Sequence, residues 1–139
     1  MPSKSMVPHT VTIFNSIGEI DGKEKYVKTI LQNVQCDENF GVNQSLRGHN
    51  SDDTAALYIF DSNVKAQSVE GFEKSYITPA QWVKEFFKEP YWTLSENDYF
   101  ILGEPTAEDP RDIGAFKIDG IHRYNMGTHR MRHFEVYGR

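Results

Sequence analysis

Only once, between Thr78 and Lys88, does this chain hold a helical spacing of apolar residues; elsewhere they come in short alternating runs cut by turn-forming residues. That pattern confines the fold to strands, because a period of two places successive side chains on opposite faces of a sheet. Thr10, Val11, Thr12, Ile13 and Phe14 form the first run, residues 15–18 and Asp21-Gly22 read as turns, and alternation resumes from Tyr26 to Val34. A hairpin follows from that spacing. Thr54 to Phe60 is an apolar run bounded by Asp53 and Asp61, too short for a helix and read as a strand. Trp92-Thr93-Leu94 and Tyr99 to Leu102 flank the polar turn at 95–98, and Ala115 to Tyr124 and Arg132 to Tyr137 flank another at 125–128. Residues 62–75 keep no clear period. Two polar stretches, at about 36–53 and 104–113, read as long loops, and residues 1–8 as a flexible N-terminus.

The one helix is expected at about 78–88. Thr78 supplies a capping hydroxyl, Pro79 fits the first helical position, and Trp82, Val83, Phe86 and Phe87 then share a face suited to packing on a sheet. Lys88 and Pro90 close it. With 139 residues, 38% hydrophobic and 13% aromatic, the chain is long enough for one domain with a real core. The expectation is therefore a mainly β single domain spanning 1–139, a small barrel or sandwich of about six short antiparallel strands with one short helix.

The residue types that carry chemistry are poorly placed for it. The single cysteine, Cys36, excludes an internal disulfide, and no CxxC, GxSxG, Walker or GxGxxG spacing occurs. His129 and His133 stand four apart, which would suit a metal on a helix, but the surrounding pattern is strand and turn. Glu96, Asp98, Glu104, Glu108, Asp109 and Asp112 lack the spacing and glycine of a calcium loop. No catalytic, metal or cofactor-binding residue is expected, and the chain reads as non-enzymatic. No apolar run approaches the length of a membrane span, Met1 to Pro8 lacks the apolar centre of a signal peptide, and mean hydropathy is -0.60. A reducing cytoplasm is the expected place of synthesis.

Charge is unevenly spread. The net charge is -5, yet residues 117–139 hold five cations and two acids, net +3, leaving ten cations and eighteen acids, net -8, in the rest. Such a cluster reads either as ordinary solvated sheet surface or as a basic edge that docks an acidic partner surface, and on the second reading Arg123, Arg130 and Arg132 carry the docking hairpin. An aromatic-rich barrel with such a hairpin could also be an OB-like nucleic-acid-binding module, although the overall acidity, with a pI near 5.5, opposes phosphate binding.

Several fragments, in order, carry a resemblance: Val11-Thr12-Ile13-Phe14-Asn15, Tyr76-x-x-Pro79-x-x-Trp82, Trp92-Thr93-Leu94 with Asp98-Tyr99-Phe100-Ile101-Leu102-Gly103, and His133-Phe134-Glu135-Val136-Tyr137-Gly138-Arg139. Together they resemble an uncharacterised family of minor structural proteins of tailed phages and prophages, itself similar in layout to head-closure, or head-tail connector, proteins. Members of that family usually carry Gly before the Asp of the third fragment, where this chain has Asn97. The resemblance implies a virion protein of the neck, made in the host cytoplasm, that forms a ring with copies of itself. Such a ring would meet portal or adaptor and tail proteins, extend the channel for double-stranded DNA without reading its sequence, and involve no membrane. A tail-terminator or tail-completion role shares this layout. In that setting the long loop becomes an assembly or channel element, with Phe40, Gly41, Val42, Asn43 and Arg47 as its candidate residues.

Overall fold

A computed structural model describes residues 6–40 and 53–139. The first hairpin is the longest pairing in the molecule. Strand β1 (His9–Ile20) runs antiparallel to β2 (Lys23–Asn39), and the only reversal between them is Asp21-Gly22, both at positive φ, 55° and 79°. Two consecutive left-handed residues form the tight turn whose twist matches that of the strands, and glycine accepts this conformation without strain. Residues 15–18, expected to be a turn, instead continue the strand with one irregularity between Ser16 and Gly18. A bulge absorbs the extra residue without ending the pairing.

β2 also runs further than its sequence suggests. Cys36 to Asn39, read above as the start of a loop, pair with Leu57 to Thr54 of β3 (Thr54–Phe60). The polar run Asp37-Glu38-Asn39 hides this extension, which depends on a partner strand and not on local pattern. At Asn33, with φ 62°, a second bulge shifts the register and lets β2 turn from β1 toward β3, while the Asn33 side chain donates to the Asn63 carbonyl at 3.2 Å. Beyond β3 the short β4 (Lys65–Gln67) continues along the same edge of β2.

Two-residue strands β5 (Ser75–Tyr76) and β6 (Tyr91–Trp92) pair in parallel, and between them lies helix α1 (Pro79–Lys84). The Thr78 capping box is present: its hydroxyl accepts from the Gln81 amide while Gln81 reaches back to the Thr78 amide. The expected helix to Lys88 stops four residues earlier, because Glu85 is already extended. Only Trp82 of its apolar residues is buried, whereas Val83, Phe86 and Phe87 are exposed, so the expectation of a face packed on the sheet is corrected.

Strand β7 (Tyr99–Leu102) pairs with β1, and β8 (Phe116–Tyr124) with β9 (His133–Gly138) forms the expected last hairpin. β9 also pairs with β3, and β7 with the first residues of β8. The result is a near-closed antiparallel ring in the order β1, β2, β3, β9, β8, β7, matching the mainly β barrel expected, with β4 as a branch. Within the ring β1 and β2 lie across from β9 and β8. β1 and β8 point the same way, so the β1–β2 and β8–β9 turns project from the same end on opposite walls. Asn97 takes φ 76°, so it adopts the left-handed conformation that a glycine would supply in this turn.

Val11, Ile13, Leu31, Leu57, Phe100, Phe116 and Val136 fill the ring, with Trp92 and Leu94 closing one side. Residues 104–113 lie outside β1 and β2 and include a single 3-10 turn, Pro110–Ile113, within the stretch read as a loop. Val7 is fully buried, so the chain is anchored before β1, within the segment expected to be flexible.

Candidate interaction surface

The β8–β9 hairpin is positioned by alternation. Ile118, Phe134 and Val136 point into the core, which turns His122, Tyr124, His133, Glu135 and Tyr137 outward. On the outer face His133 is sandwiched between Phe60 and Tyr124, with ring centroids 4.7 and 4.8 Å away. Glu135 gathers the polar tips: Tyr137 donates to it at 2.6 Å and the His133 ring approaches it at 3.0 Å. These two contacts hold the Glu135 carboxyl below its usual range, and the shared carboxylate pushes the Tyr137 phenol up to about 12.

The three arginines expected to dock a partner have different fates. Arg123 is turned back on the barrel, paired through both terminal nitrogens with Asp61 at 2.8 and 2.6 Å and lying 4.3 Å over the Phe134 ring. Arg132 is half-buried, and its Nε has no hydrogen-bond partner among the described residues. Arg130 stands exposed at the tip with His129, between Met126 and Met131, which are 86% and 60% exposed. No ion pair among the described residues involves Arg130. Of the candidate loop residues, Phe40 is exposed just beyond β2, while Gly41, Val42, Asn43 and Arg47 lie outside the described residues.

Sequence reasoning missed a cleft of about 640 Å³ between β4 and β9. Tyr76, Trp92 and Phe134 form its apolar floor, and the Asp61–Arg123 pair and Lys74 its polar rim. It exists because β4 leaves the ring at the excursion 61–64, a non-local event with no signature in the residues themselves. Lys74 is buried and donates to the Lys28 carbonyl at 3.1 Å and the Thr29 hydroxyl at 3.0 Å, which caps the edge of β2 where β4 ends. Burial pulls its ammonium down to about 8, with Glu89 and Glu70 opposing. Cys36 is buried and its thiol is pushed up to about 12 by desolvation, which makes it a poor nucleophile. Among the described residues no three His, Cys, Asp or Glu side chains gather to hold a metal ion, and no helix is long and apolar enough to cross a membrane.

Comparison with known proteins gives one assignment. No curated protein and no solved structure matches the chain. A family model does match, over residues 6–139, and on that coverage the chain belongs to DUF6751, a family of unknown function.

Proposed function

We propose that this protein is a non-enzymatic structural subunit of the tailed-phage neck, a ring component at the head-tail junction that extends the DNA channel and docks the tail. The observation that carries this reading is the pair of β-ribbons projecting from one end of a near-closed barrel, the β8–β9 one tipped by exposed Met126, Met131 and Arg130. A rigid ring with projecting ribbons suits contact between neighbouring copies, where edges and tips supply the interface and the barrel supplies stiffness. Exposed apolar groups at such tips are a cost to an isolated chain and a contact to an assembled one. The net charge of -5 suits a conduit through which DNA passes without being held. The test is mass measurement and negative-stain imaging of the purified protein, alone and mixed with isolated phage connectors. Rings, or density added below the connector, are expected; a monomer that adds to neither connector nor tail ends overturns the reading.

A second reading, an OB-like binder of single strands, is favoured by the Phe60–His133–Tyr124 stack on the outer sheet. Salt-dependent binding of single-stranded oligonucleotides by the monomer, lost on replacing Tyr124 with Ala, would distinguish it.

A further inference from the structure

The two walls of the barrel carry opposite charge. Residues 117–139 hold net +3. On the facing wall, the ribbon from Ile17 to Lys28 and the segment 104–112 packed against it hold seven acids against four cations, net -3. Lys28 there is turned toward the carbonyls of Pro105, Thr106 and Ala107, and Arg111 is tied to Asp109 at 2.9 Å, so these two cations are held within the segment's own structure. Glu104, Glu108 and Asp112 remain exposed and in no ion pair among the described residues.

We infer that, in solution, the β8–β9 hairpin of one copy docks on the acidic 104–112 wall of the next copy, in a head-to-tail contact. This deepens the ring reading and rests on it. Three features point to a second copy as the occupant. The hairpin tip offers exposed Arg130 beside Arg132, Arg123 being tied to Asp61, and the wall offers exposed Glu104, Glu108 and Asp112, so each molecule carries both halves of one contact of opposite charge. They lie across the ring from each other, β8 facing β2 and β9 facing β1, which directs successive copies outward on both sides. Such a contact is heterologous and propagates until the rotation closes a ring. Finally, β8 beyond Ile118 has no strand on its outer edge among the described residues, since β7 reaches only Phe116 and Lys117. The backbone of residues 119–124 is therefore open to a neighbour beside the tip.

The test uses the full chain in native mass spectrometry and sedimentation at several salt concentrations. R130E/R132E alone and E104K/E108K/D112K alone are each expected to associate at least about tenfold more weakly than wild type. Mixed one to one they restore association, because each carries one original half and one reversed half, and only alternating assemblies with even copy numbers form. R130E paired with His129→Glu, both exposed, repeats the first arm where Arg132 is needed for folding, and unchanged thermal melting certifies all variants. If wild type assembles and the reversed variants assemble equally well, or the mixture fails to recover, this contact is wrong while the ring reading stands. If wild type never assembles with itself or with connectors, both fall. Monomers whose hairpin instead binds DNA, with binding lost in R130E/R132E, also overturn it.

Discussion

Asn15 and Asp98, 83 positions apart in sequence, meet within the barrel wall, where the Asn15 side-chain amide donates to the Asp98 carboxylate at 2.9 Å. The same amide donates to the Thr93 backbone carbonyl at 2.8 Å, and the Asn15 side-chain oxygen Oδ1 accepts from the Thr93 backbone amide at 3.2 Å. One buried side chain thus ties β1 to the segment between β6 and β7. Burial pushes the Asp98 carboxyl up from 3.8 to about 6, against the opposing hydrogen bonds from Asn15 and Ser16.

Because the folded carboxyl is weaker than the unfolded one, folding takes up a proton between pH 4 and 6, and Asp98 contributes less stability as pH rises through that window. The two-unit difference amounts to about 3 kcal/mol. Urea unfolding of wild type and Asp98→Asn at a series of pH values should show wild type losing ground to the variant by this order between pH 4 and 7. A pH-independent difference would refute it.

Lys74 behaves in the opposite direction. Its ammonium is pulled down from 10.5 to about 8, so the unfolded chain holds a proton that the folded one releases, and stability rises between pH 8 and 10. Relative to Lys74→Met, wild type should gain roughly 2 to 3 kcal/mol across that interval. Equal slopes for the two proteins in urea titrations would show that the amine is better solvated than its position implies.

Gly138 lies where β9 crosses under two phenylalanines. A Cβ there would stand 2.8 Å from Phe100 Cε1, 3.0 Å from Phe116 Cβ and 3.1 Å from the Lys117 carbonyl. Gly138→Ala should cost about 1 to 3 kcal/mol through overpacking, whereas Gly120→Ala meets only Tyr137, at 3.6 Å, and should cost less. The comparison is a pair of thermal melts, and equal midpoints would contradict the packing described.

Cys36 should not react with a disulfide reagent at pH 8 in the folded protein and should react fully in denaturant, since its thiol is buried and held near 12. Rapid modification without unfolding would place it at an accessible edge.

Phe86 is 101% exposed and Phe87 61% exposed, so neither supports the fold. Replacing both with Ser should change unfolding free energy by less than about 0.5 kcal/mol while reducing binding of a hydrophobic dye. A fall in melting temperature of many degrees would show that they pack after all.

How much of this was legible in the residues depended on range. The last hairpin could be read because Phe134 and Val136 alternate with His133, Glu135 and Tyr137, a local signal. The start of α1 was legible in Thr78, Pro79 and Gln81, but its end was not, since Phe86 and Phe87 continue the helical period although Glu85 is already extended. The extension of β2 through Asp37, Glu38 and Asn39 depends on β3, and the two-residue parallel pair β5 and β6 is too short to leave a pattern. Of the arginines read as a docking set, Arg130 stands at the surface, whereas Arg123 is claimed by Asp61, a residue 62 positions away. The Asn15–Asp98 tie was invisible for the same reason, as buried polar pairs announce themselves only in three dimensions.

The ring closure has a kinetic side. β1 is held to β7 across most of the chain, with Thr12 donating to the carbonyl of Gly103, 91 positions on, and β3 waits for β9. Among the described residues only the β1–β2 and β8–β9 hairpins join strands through short turns, while the β1–β7 and β3–β9 pairings that close the ring span much of the chain, which places folding in the slow, non-local class that takes milliseconds to seconds. During that interval the edges of β2, β3 and β8 are open, and at high concentration a second chain competes with the protein's own strands for them. The protein is best refolded dilute and concentrated only after its barrel has closed.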